Sequence, residues 1–304
     1  MRAFIAILCI FALGGMKPAL AGERQLLGYG RIVNNDYLGD GYDRGHTGDV
    51  SSSRIKGIAW NGVLPEKVGD IIEYRISAGI IAPANLNTPL ATDRPYAGYL
   101  SFGMHTHFQR QGLEFAFGAD LVATGPQTGL GDFQTLLHDS LGGVTPSTGV
   151  LDNQIGNGFH PTLVAEVGRD MLFSPSLALR PFLETRLGLE DLVRVGLDLT
   201  IGQVGRGGLL IRDSVTGQRY RTIRNDHQGL SFVMGGDVAR VSNSALLPAS
   251  RGYVLTEARH RLRAGVHWQG ARSDAFYGVS WLGHEYLGQA NSQLVGSVRL
   301  NLKF

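Results

Sequence analysis

The sequence has almost no cysteine: the single one among its 304 residues is Cys9. Cys9 lies within residues 1–21, which have the pattern of a secretory signal peptide. Arg2 precedes an apolar run over residues 3–16, and an Ala-Leu-Ala cleavage site follows at residues 19–21. Removal of this segment would leave a mature protein without cysteine, which excludes disulfides and thiolate metal sites.

Charge and long apolar runs are also scarce. Loss of Arg2 and Lys17 with the signal peptide takes Lys+Arg from 28 to 26, which equals the 26 Asp+Glu. A mature net charge near zero argues against a nucleic-acid partner. After residue 21 no apolar run approaches the ~20 residues that a membrane helix needs. An exported, glycine-rich chain of this kind fits either a β-rich soluble protein or an outer-membrane barrel.

Apolar and polar residues alternate with a period of two, which predicts β-strands. In one segment the apolar members are Leu113, Phe115, Phe117, Ala119 and Leu121. The alternating segments are about ten residues long, whereas strands of soluble sheets average ~5–6. Strands of ~9–11 residues with an outward apolar face are typical of membrane barrels. The pattern predicts an all-β fold, a transmembrane antiparallel β-barrel of ten to fourteen strands, with an even number expected.

The end of the chain supports the barrel prediction. The final segment LVGSVRLNLKF alternates and closes on Phe304, which resembles the C-terminal strand of bacterial outer-membrane proteins. The one clear interruption of the alternation, residues 125–161, predicts a loop with some helix. The predicted organisation is a signal peptide, residues 1–21, followed by one barrel domain, residues 22–304.

Oxygen-bearing side chains are concentrated in the stretch NNDYLGDGYDRGHTGD, residues 34–49. Carboxylates, amides, hydroxyls and backbone carbonyls are the ligands that a hard cation such as Ca²⁺ prefers. The spacing does not match an EF-hand loop. Because Asp, Asn and Gly are also the ordinary residues of turns, a solvated loop remains the alternative.

The second candidate segment is GPQTGLGDFQTLLHDSLGG, residues 125–143. Asp132 is suited to cap a short helix that runs to about Leu141. Gln134 and His138 then lie one turn apart on one face, where His138 is a candidate general base. A rim histidine that only makes a hydrogen bond is the alternative. On the other faces of the helix, the apolar side chains expected to pack against the barrel rim are Phe133, Leu136 and Leu137.

Several motifs, taken in order, resemble those of the LpxR family of outer-membrane lipid A 3′-O-deacylases. They are NND at 34–36, DRGHTGD at 43–49, DRPYAG at 93–98, the GP…G…Q…H spacing at 125–138, LDNQ at 151–154 and EYLGQ at 285–289. DRPYAG is the most specific of them, and together they span the mature chain. The sequence departs from the family pattern at Asn34, where the family has Glu, at His46, where it has Tyr, and at Leu151, where it has Trp.

The resemblance implies a twelve-stranded barrel with a site near its outer rim, where a short helix lies in a rim loop. It implies a calcium-dependent esterase that removes the 3′-O-linked acyloxyacyl group from lipid A of lipopolysaccharide. The implied site residues are, as catalytic groups, His138, Asn35 and Gln134; as ligands of Ca²⁺, Asp36 and Thr47; and, as substrate-binding groups, Arg94 and Tyr96. For Arg94, a structural role is the favoured alternative to contact with a lipid A phosphate.

The expected location is the bacterial outer membrane, and the expected partners are lipopolysaccharide and the surrounding lipids, with the protein acting as a monomer. Two other function classes remain open. One is a non-enzymatic barrel, either a channel or a structural protein. The other is an outer-membrane phospholipase, for which the sequence offers no matching Ser-His-Asn arrangement.

Overall fold

The structure, a computed structural model, describes residues 23–302, so the predicted signal peptide and Phe304 lie outside the described residues. The strands are β1 (Gln25–Asn35), β2 (Gly45–Gly57), β3 (Ile71–Ala82), β4 (Ala97–Arg110), β5 (Leu113–Thr124), β6 (Gly158–Gly168), β7 (Met171–Ser174), β8 (Leu177–Leu187), β9 (Glu190–Gly202), β10 (Leu209–Arg212), β11 (Arg219–Ile223), β12 (Gly229–Ser244), β13 (Arg259–Gln269), β14 (Asp274–Leu282) and β15 (Gln293–Asn301).

Antiparallel pairing runs around the sheet and closes it into a barrel. The first strand pairs with the last, β1 with β15, and β6 pairs with β8 to complete the circle. The short β7 pairs with the same edge of β8 as β6 does, so β6 and β7 form one interrupted strand of the wall. Strands β10 and β11 form a separate sheet and are not part of the wall. The barrel therefore has twelve strands, which confirms the predicted fold.

The two faces of the wall have opposite polarity, as strand β4 shows. Leu100, Phe102 and Met104 point outward and are 39–55% exposed, whereas His105 and His107 point inward and are buried. An apolar surface facing outward would be unstable in water, but it is what a bilayer requires. Closure also pairs the backbone groups of every wall strand, which lipid could not do. Within residues 23–302, no helix is long and apolar enough to cross a membrane.

Ion pairs fill the interior of the barrel. Arg194 binds Glu184 at 2.8 Å, and Arg261 binds Asp237 at 2.9 Å, with all four side chains almost inaccessible to solvent. Such charges are costly to bury unless each finds a partner of opposite sign. The polar positions of the alternating strands therefore neutralise one another across the lumen.

A hairpin, which the sequence analysis did not predict, occupies part of the lumen. It consists of β10 and β11, in the segment 203–228 between β9 and β12. The Tyr220 hydroxyl lies 2.7 Å from Ser53 Oγ of β2, and the Gln218 amide donates to the Ala264 carbonyl of β13 at 3.1 Å. The hairpin passes close to β1 because Gly30 has no side chain: a Cβ there would lie 2.5 Å from the Arg221 carbonyl oxygen.

The two ends of the barrel differ in their loops. The chain enters β1 and leaves β15 at one end, which we name the terminal end. The opposite, loop end carries the segments 36–44, 83–96, 125–157, 188–189, 245–258 and 283–292. Bacterial barrels have short periplasmic turns and longer extracellular loops, so the loop end corresponds to the cell exterior.

The longest loop carries two helices, α1 (Leu130–Leu141) and α2 (Thr148–Asp152), which confirms helix within the interruption of the alternation. The predicted cap was wrong: Gly129, in a left-handed conformation (φ 67°), precedes α1, and Asp132 lies in its first turn. The predicted packing of the apolar side chains was also wrong, since Phe133, Leu136 and Leu137 are 42–67% exposed. Leu130, in the first turn of α1, packs against the rim instead.

The hairpin should be essential to the stability of the lumen. The Arg212 guanidinium binds Glu166 at 2.7 Å and Asp198 at 2.9 Å. Arg212→Ala would leave two buried carboxylates without this partner, and we expect it to lower the free energy of unfolding by about 3–5 kcal/mol. Denaturant unfolding in detergent measures this, with the exposed turn variant Arg110→Ala as control. Equal stability of the two variants would contradict the assignment.

Candidate active site

The loop ends of β1 and β2 bring the first site residues together. The register pairs Asn35 with Gly48, which places Asp36 across from Thr47. Asn35 fixes this corner with both amide atoms, since Oδ1 accepts from the Tyr37 N–H at 2.8 Å and Nδ2 donates to the Thr47 carbonyl at 2.7 Å. Asp36 then begins a short 3₁₀ turn with its side chain buried.

Two carboxylates share the hydroxyl between them. The Thr47 hydroxyl donates to Asp43 Oδ1 and lies 3.4 Å from Asp36 Oδ1. The other oxygen of Asp36 accepts from the backbone N–H of Arg44 at 2.8 Å. The opening stretch of oxygen donors therefore forms a compact polar corner at the rim rather than a fully solvated loop.

Helix α1 contains Gln134 and His138 and brings His138 to this corner. Its first turn is fixed because Leu130 packs with Ile80, Ala82 and Tyr96 at the loop ends of β3 and β4. Gln134 is 3% exposed, and one turn later His138 Nε2 lies 3.4 Å from Asp43 Oδ2. Of the predicted pair, His138 thus reaches the β1–β2 corner, and Gln134 is buried one turn earlier on the same helix.

The hydrogen bonds of His138 define which ring nitrogen is free. Nδ1 lies 2.5 Å from the Val144 carbonyl oxygen, which can only accept, so Nδ1 carries the proton in the neutral ring. Nε2 is then the basic nitrogen, and it faces Asp43. Should Nε2 gain a proton, the Asp43 carboxylate would stabilise the resulting imidazolium. This arrangement suits a general base.

The corner has the donors for a hard cation. Burial and the neighbouring charge of Asp43 raise the pKa of Asp36 to about 8, although its hydrogen bonds oppose this. A cation would offset both the burial and the repulsion, and the oxygens of Asp36, Asp43 and Thr47 are of the type that Ca²⁺ binds. Within residues 23–302 no three His, Asp or Glu side chains form a ready metal cluster. Hydroxyl and backbone oxygens would therefore have to complete the coordination.

Two further polar atoms at the site lack a partner. Gln134 Oε1 and the Tyr96 hydroxyl are buried, and neither makes a hydrogen bond within the described residues. Burial, together with the negative charges of Asp43 and Asp132, raises the pKa of Tyr96 and keeps its hydroxyl protonated. Buried polar atoms without partners are rare in proteins and are found at sites that bind a ligand, ion or water.

Arg94 is already paired with a buried carboxylate. Its Nη1 lies 2.5 Å from Glu285 Oε2, and Arg259 approaches the other oxygen of Glu285 at 3.1 Å. Burial would raise the pKa of Glu285, but the Arg259 and Arg94 guanidinium groups outweigh it and hold that pKa well below its usual range. The contact joins the DRPYAG segment to the EYLGQ segment, which favours the structural interpretation of Arg94.

The structure thus groups Asn35, Asp36, Thr47 and His138, with Gln134 buried one helical turn before His138 and Tyr96 close to Asp43. Asp43 is not among the site residues that the resemblance implies, although it opens the DRGHTGD motif. Asn34, the departure from the family pattern, points into the barrel, where its amide donates to Asp49 and accepts from Ser297. That substitution therefore lies in the wall rather than at the corner.

A closed twelve-stranded barrel with an apolar outer wall and a polar rim site defines an outer-membrane β-barrel protein. The family model described as outer membrane protein LpxR matches residues 4–304, so this chain belongs to the LpxR family. The protein is accordingly located in the bacterial outer membrane.

A solved LpxR structure has a similar fold. LpxR from Salmonella typhimurium is similar with a TM-score of 0.72 at 15% identity, over 91% of this chain and 100% of that chain. The β domain of the Bordetella autotransporter BrkA gives a TM-score of 0.43 at 9% identity, and the NanC porin 0.42 at 7%, each over 91% of this chain and 100% of the other. Because both TM-scores are this low, these two structural similarities carry no argument about this chain. A comparison with curated proteins found no match.

The two interpretations of Arg94 predict different stabilities. If Arg94 joins two loop-end segments, Arg94→Ala removes a charged hydrogen bond from buried Glu285 and should lower the free energy of unfolding by about 1.5–3 kcal/mol. The neighbouring Asp93→Ala makes no comparable change, since Asp93 forms no ion pair within the described residues. Denaturant unfolding of both variants in detergent distinguishes the two interpretations of Arg94. An Arg94→Ala variant as stable as the parent would favour a role in substrate binding.

Proposed function

We propose that this protein is a calcium-dependent hydrolase that removes the 3′-O-linked acyloxyacyl group from lipid A of lipopolysaccharide. The resemblance to the LpxR family supplies the substrate and the bond. The observation that carries the proposal is the position of His138, whose Nε2 faces a corner of oxygen donors at the barrel rim. A base next to a set of cation ligands at one rim site supplies the parts that metal-assisted ester hydrolysis needs.

The rim location suits a lipid substrate. An acyl ester of a membrane lipid lies near the boundary between hydrocarbon and water, where the loop end of the wall also lies. The exposed side chains Phe133, Leu136 and Leu137 of α1 give the rim an apolar surface close to His138. Acyl chains would contact that surface while the ester enters the polar corner, so the lipid need not leave the membrane.

His138 acts as the general base. Because Nδ1 is bound to the Val144 carbonyl, Nε2 accepts a proton from the attacking water as its oxygen bonds to the ester carbonyl carbon. Asp43 stabilises the protonated ring during this step. When the tetrahedral species collapses, the C–O bond to the sugar breaks, and Nε2–H returns the proton to the departing 3′ oxygen. The products are a free acyloxyacyl acid and a 3′-hydroxyl on lipid A.

The other residues bind and orient. Asn35 holds the β1–β2 corner by bonding both sides of it, so it positions Asp36 and Thr47. The unpartnered Gln134 Oε1 and Tyr96 hydroxyl would bind the water or the substrate's polar groups, which their lack of a partner within the described residues supports. Both are fixed by packing, and such preorganisation reduces the cost of aligning the reacting atoms.

Calcium would be held by Asp36 with Thr47 and backbone oxygens, and Asp43 is a further donor in reach of Thr47. When bound, Ca²⁺ would polarise the ester carbonyl and offset the negative charge that develops on its oxygen. The alternative of an open channel has less support because the β10–β11 hairpin occupies the lumen. Space remains there in cavities of about 110 and 490 Å³, and the segment 203–228 contributes residues to both.

His138→Ala tests the assignment of the base. We expect the variant to keep the mobility shift of a folded barrel on unheated gels but to lose activity on purified lipid A by at least ~10²-fold. His284→Ala, which changes an exposed histidine of another loop-end segment, should retain activity. Release of 3′-acyl chains by the His138→Ala protein at the parent rate would show that another group is the base.

The calcium proposal is tested separately with Asp36→Ala. Removing a buried carboxylate that would bind the cation should abolish activity and should also remove any increase in thermal stability on adding CaCl₂. Excess EDTA should have the same effect on the parent protein. The matched control is Asp139→Ala, an exposed carboxylate on α1. Full activity of the parent in EDTA would contradict the calcium role.

A further inference from the structure

Three cations lie on the outer, lipid-facing side of the wall at β1 and β2. Arg31, Arg54 and Lys56 point outward and are exposed, in a position where neighbouring strands present apolar residues. None of the three forms an ion pair or side-chain hydrogen bond with another residue of the described range 23–302. Cations on the lipid face of a barrel are destabilising by about 2–4 kcal/mol each at the midplane and by about 0–1 kcal/mol near the interfaces, so an anionic partner would stabilise a group of them.

The strand register brings these cations together. Arg31 is paired with Ser52, so Arg54 is its diagonal neighbour, at about 7–8 Å between the two backbones. Lys56 lies two residues beyond Arg54 on the same face, about 7 Å along the strand. We name Arg31, Arg54 and Lys56 the basic patch.

No outward carboxylate on the surrounding strands neutralises the basic patch. The acidic residues of β1, β2, β3 and β15 are Asp49 and Glu73, and both point into the barrel and are buried. Glu73 is further bound to Arg75 at 2.7 Å. The patch therefore presents a net charge of +3 to the outside, which suits an anion rather than a zwitterion.

The depth of the basic patch in the membrane follows from its neighbours. Lys56 is the penultimate residue of β2, which ends at the terminal end of the barrel. Arg54 is paired with Tyr29 on one side and Tyr74 on the other, and both tyrosines are exposed to the outside. Outward tyrosines of barrels are enriched at the membrane–water interface. Long basic side chains here can extend to the headgroups of the periplasmic leaflet.

We propose that the basic patch binds the phosphate of an anionic glycerophospholipid in the periplasmic leaflet. The ligand chemistry is a single phosphodiester with net negative charge, contacted by two guanidinium groups and one ammonium group. The site is on the opposite side of the bilayer from the rim corner, so it is independent of the proposed hydrolysis. A bound lipid of this kind would offset the charge of the patch and stabilise the inserted barrel.

Binding of phosphatidylglycerol to the purified full chain in detergent tests the proposal. The thermal midpoint at which the barrel loses its gel mobility shift should rise with added phosphatidylglycerol but not with phosphatidylcholine of the same chains. In Arg31→Gln/Arg54→Gln/Lys56→Gln the apparent affinity should fall on the order of 100-fold, since each cation near an anionic lipid surface contributes about a factor of five. Arg54→Gln alone should lose about fivefold.

The matched control removes three exposed cations elsewhere, in Arg110→Gln/Arg240→Gln/Arg272→Gln, and should bind phosphatidylglycerol as the parent does. Equal loss of affinity in this control would show that the net charge of the protein alone explains the loss, and it would overturn the proposal. Purified lipopolysaccharide serves as a second probe. If the basic-patch variant loses lipopolysaccharide binding instead of phosphatidylglycerol binding, the basic patch binds lipid of the outer leaflet and the proposal is wrong.

Discussion

Closure of the sheet between β6 and β8 is the constraint on which the rest of the structure depends. In a bilayer, an open sheet edge would leave backbone groups without partners, and each would cost several kcal/mol. Closure gives most wall strands an apolar face toward lipid and a polar face toward the lumen. The interior then has to be neutralised, which explains both the ion pairs such as Arg194–Glu184 and the hairpin whose Arg212 joins Glu166 to Asp198.

The same rigid wall produces the rim site. Asp36 follows β1 directly, and Thr47 belongs to β2, so hydrogen bonding between these strands sets their separation. Helix α1 is fixed by Leu130 against the ends of β3 and β4, and this brings His138 to Asp43. Because the lumen is filled, a reaction would have to take place at the rim of the barrel, where lipid is present. The barrel interior therefore provides stability, while its rim and outer surface provide the contacts with lipids.

Most of the wall was predictable from the sequence, because alternation assigns each side chain to one face, as at Leu100 and Phe102. The position of the rim helix along the chain was predictable. Its first residue was not, since Gly129 rather than Asp132 precedes the helix. Asp43 could not be distinguished from an ordinary turn residue, because only the fold brings α1 opposite it. The β10–β11 hairpin was not predicted, because its position depends on contacts with β1, β2, β9 and β13 that are distant in sequence.

The central claim is that the polar corner at the rim cleaves an ester of the surrounding lipid. Mass spectrometry of lipid A from otherwise identical Gram-negative cells with and without this protein tests it most directly. The account predicts that expression removes the mass of one 3′-acyloxyacyl group, so that a lighter lipid A carrying a free 3′-hydroxyl accumulates. Unchanged lipid A in cells whose outer membrane contains the folded barrel and ample calcium would contradict it.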